Sequence, residues 1–138
     1  MGAPGKAKDR NIILVVDDDE DIREVVRATL QDMAGYRVVV AASGHEAVDV
    51  ARQENPDLVL LDAVMPVLSG LATLQRLRDD PTLASLPVVF MTANVGARDR
   101  ARYTASGAVG VVVKPFDPLS LLEQVAALLS AIDGPPSP

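Results

Sequence analysis

The chain has 138 residues, 49% hydrophobic and 23% charged, enough for one globular domain with a core of ordinary size. A net charge of −6 and a pI near 4.6 exclude a broad basic footprint, so no nucleic-acid partner is expected. The absence of cysteine excludes a disulfide scaffold and a thiol nucleophile. No apolar run approaches the roughly 18 residues of a membrane span, so no membrane partner is expected and a cytoplasmic location is the default.

Residues 1–10 (MGAPGKAKDR) are polar and are expected to be a disordered tail. The apolar run that follows is too short for a signal-peptide core, and Lys6 stands where a myristoylation signal wants Ser or Thr. Ile12 to Val16 reads as a buried strand that runs into Asp17-Asp18-Asp19-Glu20-Asp21. Ile22, Val25, Val26, Thr29, Leu30 and Met33 then share one helical face, and Gly35 closes that helix. Tyr36 to Ala41 is a second strand, and Ser43-Gly44-His45-Glu46 supplies a capping box for a helix that stops before Asn55-Pro56.

Leu58-Val59-Leu60-Leu61 is too short for a helix and reads as a strand buried on both faces, ending on Asp62. Pro66 follows too soon for a regular element to continue, and Leu71, Leu74 and Leu77 mark a helix from about Ser69-Gly70 to Asp79. Pro87 to Met91 is the fourth strand, ending on Thr92. Residues 95–106 are weakly helical, with three arginines and little apolar face beyond Val95 and Tyr103. Val109 to Val113 is the fifth strand, ending on Lys114-Pro115. Asp117-Pro118 caps the last helix, residues 118–132, and residues 133–138 are expected to be a disordered tail.

Five strands alternating with five helices predict a flavodoxin-like, doubly wound parallel sheet of order 2-1-3-4-5 over residues 11–132. Ligands of such sheets lie beyond the carboxyl ends of the strands. Here those ends carry Asp17-Asp18, Asp62, Thr92 and Lys114. Taken singly, each has a bland reading: a solvated helix start, a cap, a surface lysine. Together they place three carboxylates, a hydroxyl and an ammonium around one crevice. Hard oxygens of that kind suit Mg²⁺. Without a cation the carboxylates would repel one another and raise at least one pKa.

With these residues in order, the chain resembles the receiver domain of bacterial two-component response regulators, and most of all their single-domain members. The resemblance rests on Val15-Val16-Asp17-Asp18, Asp62 with Met65-Pro66 and Gly70, Thr92-Ala93, and Lys114-Pro115-Phe116. The intervals are 45 residues from Asp17 to Asp62, 30 to Thr92 and 22 to Lys114. It implies that Asp62 is a phosphoacceptor served by a histidine kinase or a histidine phosphotransfer protein. Asp17, Asp18, Asp62 and the backbone carbonyl of Val64 would hold Mg²⁺ (or Mn²⁺). Lys114 and Thr92 would contact the phosphoryl oxygens, assisted by the amides of Ala63 and Ala93. The Lys114-Pro115 bond would be cis. No output domain is read in the sequence, so signalling to an unidentified downstream protein target is expected to pass through protein contacts.

Some positions depart from the family pattern. The aromatic residue that often reports the switch on strand five is replaced by Val111, and Tyr103 is near in sequence but not equivalent. Val64 and Asn94 flank the path of a hydrolytic water; an apolar Val64 is expected to screen the phosphoryl group and Asn94 to orient water. On the last helix, Leu119, Leu122, Ala126 and Leu129 are expected to form the core stripe. Leu121, Val125, Leu128 and Ile132 form a second stripe, which implies a homodimer or target surface on helix four, strand five and helix five.

Three other classes compete. A Mg²⁺-dependent phosphohydrolase with an Asp nucleophile wants a second acid two residues later, and that position is Val64. A mononucleotide-binding module wants a Gly-rich loop that follows none of these strands. A degenerate receiver that signals without phosphate is opposed by the intact set of site residues.

Overall fold

Short runs of branched apolar residues make the sheet, and polar turns with glycine or proline end each run. The structure, a computed structural model, describes residues 11–93 and 96–133. Its strands are β1 (Ile12–Val16), β2 (Arg37–Ala41), β3 (Leu58–Asp62), β4 (Val88–Thr92) and β5 (Gly110–Val113). All pairings are parallel, in the order β2-β1-β3-β4-β5, as the sequence predicts. Every residue of β3 and β4 is buried, whereas β2 and β5, at the sheet edges, are half-open. Central parallel strands covered on both faces need this unbroken apolar character.

The helices are α1 (Glu20–Arg27), α2 (Gly44–Glu54), α3 (Gly70–Asp79), α4 (Ala97–Ala105) and α5 (Pro118–Asp133). Residues Ala28–Asp32 prolong α1 as a wider π turn, in which Thr29 Oγ1 donates to the Val25 carbonyl at 2.8 Å. Helices α2, α3 and α4 cover one face, with Ala47, Ala51, Leu74, Leu77 and Tyr103 packed on Leu14, Val59, Leu61, Val88 and Phe90. Helices α1 and α5 cover the other, with Val26, Leu30, Leu121, Val125 and Leu129 against Ile13, Leu58, Leu60, Val89 and Met91. Each fully buried leucine or valine contributes roughly 1.5–3 kcal/mol of apolar burial.

The expected caps are in place. Ser43 Oγ accepts from the Glu46 N–H at 3.1 Å, and the Glu46 carboxylate reaches back to the Ala42 N–H, one residue before the box's usual partner. Asp117 Oδ2 accepts from the Ser120 N–H at 3.1 Å, and Gly35 leaves the first helix at φ +79°.

Three expectations are corrected. The core stripe of α5 is Leu121, Val125 and Leu129, while Leu119 is 63% exposed and Ala126 is also exposed. Two apolar stripes lie about one residue step apart on that helix, and only docking on Leu60, Val89 and Met91 decides which one faces inward. Helix α5 also includes Asp133, one residue into the expected tail. Finally, β5 begins at Gly110 rather than Val109. The remaining tail residues, 1–10 and 134–138, and Asn94 lie outside the described residues.

Candidate functional site

The carboxyl ends of β1, β3, β4 and β5 bring the expected residues into one crevice. Asp17 follows β1 and is 1% exposed, and it is held at four points. Its N–H donates to the Ala41 carbonyl at 3.2 Å, and its own carbonyl accepts from Arg23 Nη1 at 2.8 Å. Oδ1 accepts from the Asp19 N–H at 2.9 Å, and Oδ2 accepts from Lys114 Nζ at 2.7 Å. Asp62, the last residue of β3, is 5% exposed. Its Oδ1 accepts from the Val64 N–H at 3.2 Å and lies 3.3 Å from Lys114 Nζ. Asp18 is exposed at the mouth.

Asp17, Asp18 and Asp62 each offer one carboxylate oxygen, and these oxygens all lie within 4.8 Å of one another. Three hard oxygens so close together fit a small divalent cation such as Mg²⁺ or Mn²⁺. Burial pushes the Asp62 carboxyl up, and the Asp17 charge pushes it further. The Lys114 ammonium and the Val64 N–H pull it down only in part, and the group titrates at about 6. Burial alone would lower Lys114. Its hydrogen bond to Asp17 and the charges of Asp17 and Asp62 outweigh that effect, so the net shift is upward and the ammonium keeps its proton.

The turn after β3 is tightly built. The Gly70 N–H donates to the Ala63 carbonyl at 3.0 Å, and a Cβ at Gly70 would stand 2.4 Å from the Asp62 carbonyl oxygen. Only glycine lets α3 begin against the backbone of Asp62. Within this turn Val67 adopts φ +69° and is 94% exposed. The Lys114-Pro115 bond is cis, as the resemblance implies.

Thr92 is buried at the end of β4, and Ala93 is exposed beyond it. The Ala63 amide departs from its expected part. Its N–H donates to the Met91 carbonyl at 3.0 Å, because the β3–β4 ladder runs one residue past the strand. The amide that reaches the Asp62 carboxylate is that of Val64, whose side chain is 65% exposed at the mouth. Val111 is partly buried among the apolar residues under α2, α3 and α4.

Two contacts were not legible in the sequence. Arg23 reads as one more polar residue on a helix, yet it clamps the Asp17 carbonyl. Tyr103, on a helix with little apolar face, donates its O–H to Thr92 Oγ1 at 3.4 Å. His45 is exposed and lines a groove with Arg52 and Asp80, which pair with each other at 2.6 Å. It takes no part in the crevice.

A family model, the response regulator receiver domain, matches residues 13–126. Response regulator Rre1 of Synechocystis sp. is 41% identical over 118 residues, covering 86% of this chain and 51% of that protein. The probable transcriptional regulator ycf27 of Cyanophora paradoxa is 40% identical over 123 residues, covering 89% of this chain and 50% of that protein. The chain thus spans about half the length of the curated relatives it matches. The chemotaxis protein CheY4 of Vibrio cholerae superposes with a TM-score of 0.81 at 35% identity, over 86% of this chain and 98% of that one. The receiver domain of Francisella response regulator 1452 superposes with a TM-score of 0.79 at 28% identity, over 87% and 97%. On the matched family model and these shared folds, this chain belongs to the receiver domains of two-component response regulators, a family in which phosphorylation and Mg²⁺ are general features.

Proposed function

We propose that residues 11–132 form a receiver that takes a phosphoryl group onto Asp62 from the phosphohistidine of a histidine kinase or phosphotransfer protein. The observation that carries this reading is the buried Asp62 carboxylate, grouped with Asp17 and Asp18 and 3.3 Å from the Lys114 ammonium. An Asp62 oxygen attacks phosphorus, the N–P bond of the donor breaks, and its electron pair returns to the imidazole nitrogen. Such transfers need positioning and charge neutralisation more than covalent help. Asp17, Asp18, Asp62 and the Val64 carbonyl would hold Mg²⁺, which would supply the positive charge needed for a phosphoryl dianion to approach three carboxylates.

Lys114 neutralises a phosphoryl oxygen, and Thr92 donates its hydroxyl to another. The backbone N–H of Ala93 assists, and the Val64 N–H is the second amide within reach of the carboxylate. Hydrolysis of the acyl phosphate is tuned by Val64 and Asn94. The reaction is a self-catalysed step of a signalling protein rather than turnover of a substrate.

This chain matches only about half of Rre1 and of ycf27, and their activity as regulators belongs to the whole proteins. For this segment we assign signalling through protein contacts, with a homodimer or target surface on α4, β5 and α5. Its charge of −6 gives no support to a nucleic-acid contact. Among the described residues no helix is long and apolar enough to cross a membrane, and a cytoplasmic location is part of this reading.

Incubation with acetyl phosphate tests the assignment by intact mass. A gain of one phosphoryl group is expected with Mg²⁺ and not with EDTA, and it is lost in Asp62→Asn and Asp18→Ala. Labelling that persists in Asp62→Asn would refute the site.

A further inference from the structure

The backbone of Asp17 stands one residue beyond the paired part of β1. Its N–H still meets the Ala41 carbonyl, at 3.2 Å. In a parallel ladder its carbonyl would next accept from the N–H of residue 43. That partner is lost, because β2 ends at Ala41 and Ser43 already caps α2. Arg23 fills the gap from α1, and its Nη1 donates to the Asp17 carbonyl at 2.8 Å. Asp17 is buried, and a buried carbonyl left unpaired is unfavourable.

The contact orients more than one oxygen. The Asp17 carbonyl and the Asp18 N–H share one rigid peptide plane, so whatever fixes the first sets the direction in which Asp18 leaves the strand. The Asp17 carboxylate has holds of its own, on the Asp19 N–H and on Lys114. Asp18 has none: it is exposed, and among the described residues no hydrogen bond or ion pair holds its carboxylate. The backbone alone therefore keeps an Asp18 oxygen within 4.8 Å of those of Asp17 and Asp62.

We propose that Arg23 is a positioning residue for Asp18, which presets the three carboxylates for a divalent cation. This rests on the reading of Asp17, Asp18 and Asp62 as a Mg²⁺ site. Without the clamp, repulsion among the carboxylates turns Asp18 outward, and the cation must order it again on binding. Charge alone argues the other way. A guanidinium beside a cation site repels the cation, so its removal would tighten binding if its field were its only effect. The two roles thus differ in sign.

Calorimetric titration of the full chain with Mg²⁺, with no phosphodonor present, separates them. Arg23→Met keeps an unbranched apolar stem and loses the donors and the charge. It should bind Mg²⁺ about tenfold more weakly, the size of one hydrogen bond from a charged group. Arg23→Lys keeps a charged donor and should recover most of the affinity. Labelling of Arg23→Met by acetyl phosphate should be slow at limiting Mg²⁺ and return to within about twofold of wild type at saturating Mg²⁺, as a loss of binding alone requires.

Unchanged or tighter Mg²⁺ binding in Arg23→Met would overturn the proposal, as would labelling that stays slow at saturating Mg²⁺. An Arg23→Lys variant no better than Arg23→Met would overturn it too. A wild type that takes up no Mg²⁺, or an Asp18→Ala variant that binds it undiminished, would instead overturn the metal site itself, and this proposal with it.

Discussion

Asp62 titrates at about 6, well above an ordinary carboxyl near 3.8, because it is buried beside Asp17. A pKa raised by folding means that the folded state binds the proton more tightly than the unfolded chain does. Stability contributed by this group is therefore lost as pH rises from about 4 to about 6, and at neutral pH the ionised carboxylate works against folding. Asp62→Asn removes the charge and keeps an oxygen for the Val64 N–H. It is expected to stabilise the metal-free protein at pH 7 by on the order of 1–3 kcal/mol, a gain that disappears near pH 4. Urea melts at the two pH values measure this, and an asparagine variant no more stable at pH 7 would contradict the cause given for the shift. At the neighbouring position, Val64 stands at the mouth of the crevice, where an apolar side chain cannot guide water to phosphorus. Val64→Asn should hasten loss of phosphate several-fold after donor removal, and Asn94→Ala should slow it. An unchanged lifetime in Val64→Asn would remove the screening role.

Among the elements, α5 shows how a helix can be recognised from its sequence while its rotation is not. Leucine, valine and isoleucine recur so densely along Pro118–Asp133 that two adjacent stripes satisfy the helical period equally well. Burial then separates near neighbours: Leu121 is 0% exposed and Leu119 is 63% exposed. Leu121→Ala should cost about 2–5 kcal/mol, the usual range for a cavity in a packed core. Leu119→Ala should stay within about 0.5 kcal/mol of wild type. Chemical denaturation of the two variants would expose a wrong rotation at once, because it would exchange their values. Helix α4 presents the opposite difficulty. Its arginines and single aromatic gave no face to orient, so the inward turn of Tyr103 became visible only with β4 and β5 beside it.

At the scale of the whole molecule, most of the architecture was legible because α/β order is written in alternation. Five apolar runs, each followed by a helical period, leave few ways to wind a parallel sheet. The crevice was legible for the same reason: Asp17, Asp62, Thr92 and Lys114 each end a strand, and the strand order brings those ends together. Contacts between layers carry no such signature, and Arg23 on the Asp17 carbonyl and Tyr103 on Thr92 are both of that kind. Leu119 on α5, Val113 on β5 and Val109 just before β5 remain exposed. A phosphorylation-dependent dimer through the surface of α4, β5 and α5 is expected to raise the sedimentation coefficient when beryllofluoride and Mg²⁺ are added. A monomer in both states would leave only a different protein to cover it.

Val67 has a consequence of its own. A β-branched residue at φ +69° is held in a conformation that costs on the order of 1–2 kcal/mol, and at 94% exposure it has almost no packing to offset that cost. Asparagine tolerates the left-handed region and loses little by leaving this site, so Val67→Asn should raise the unfolding free energy by about 1 kcal/mol. The stability of the resting protein can thus be raised from a position five residues beyond Asp62 that none of the expected phosphoryl or metal contacts involves.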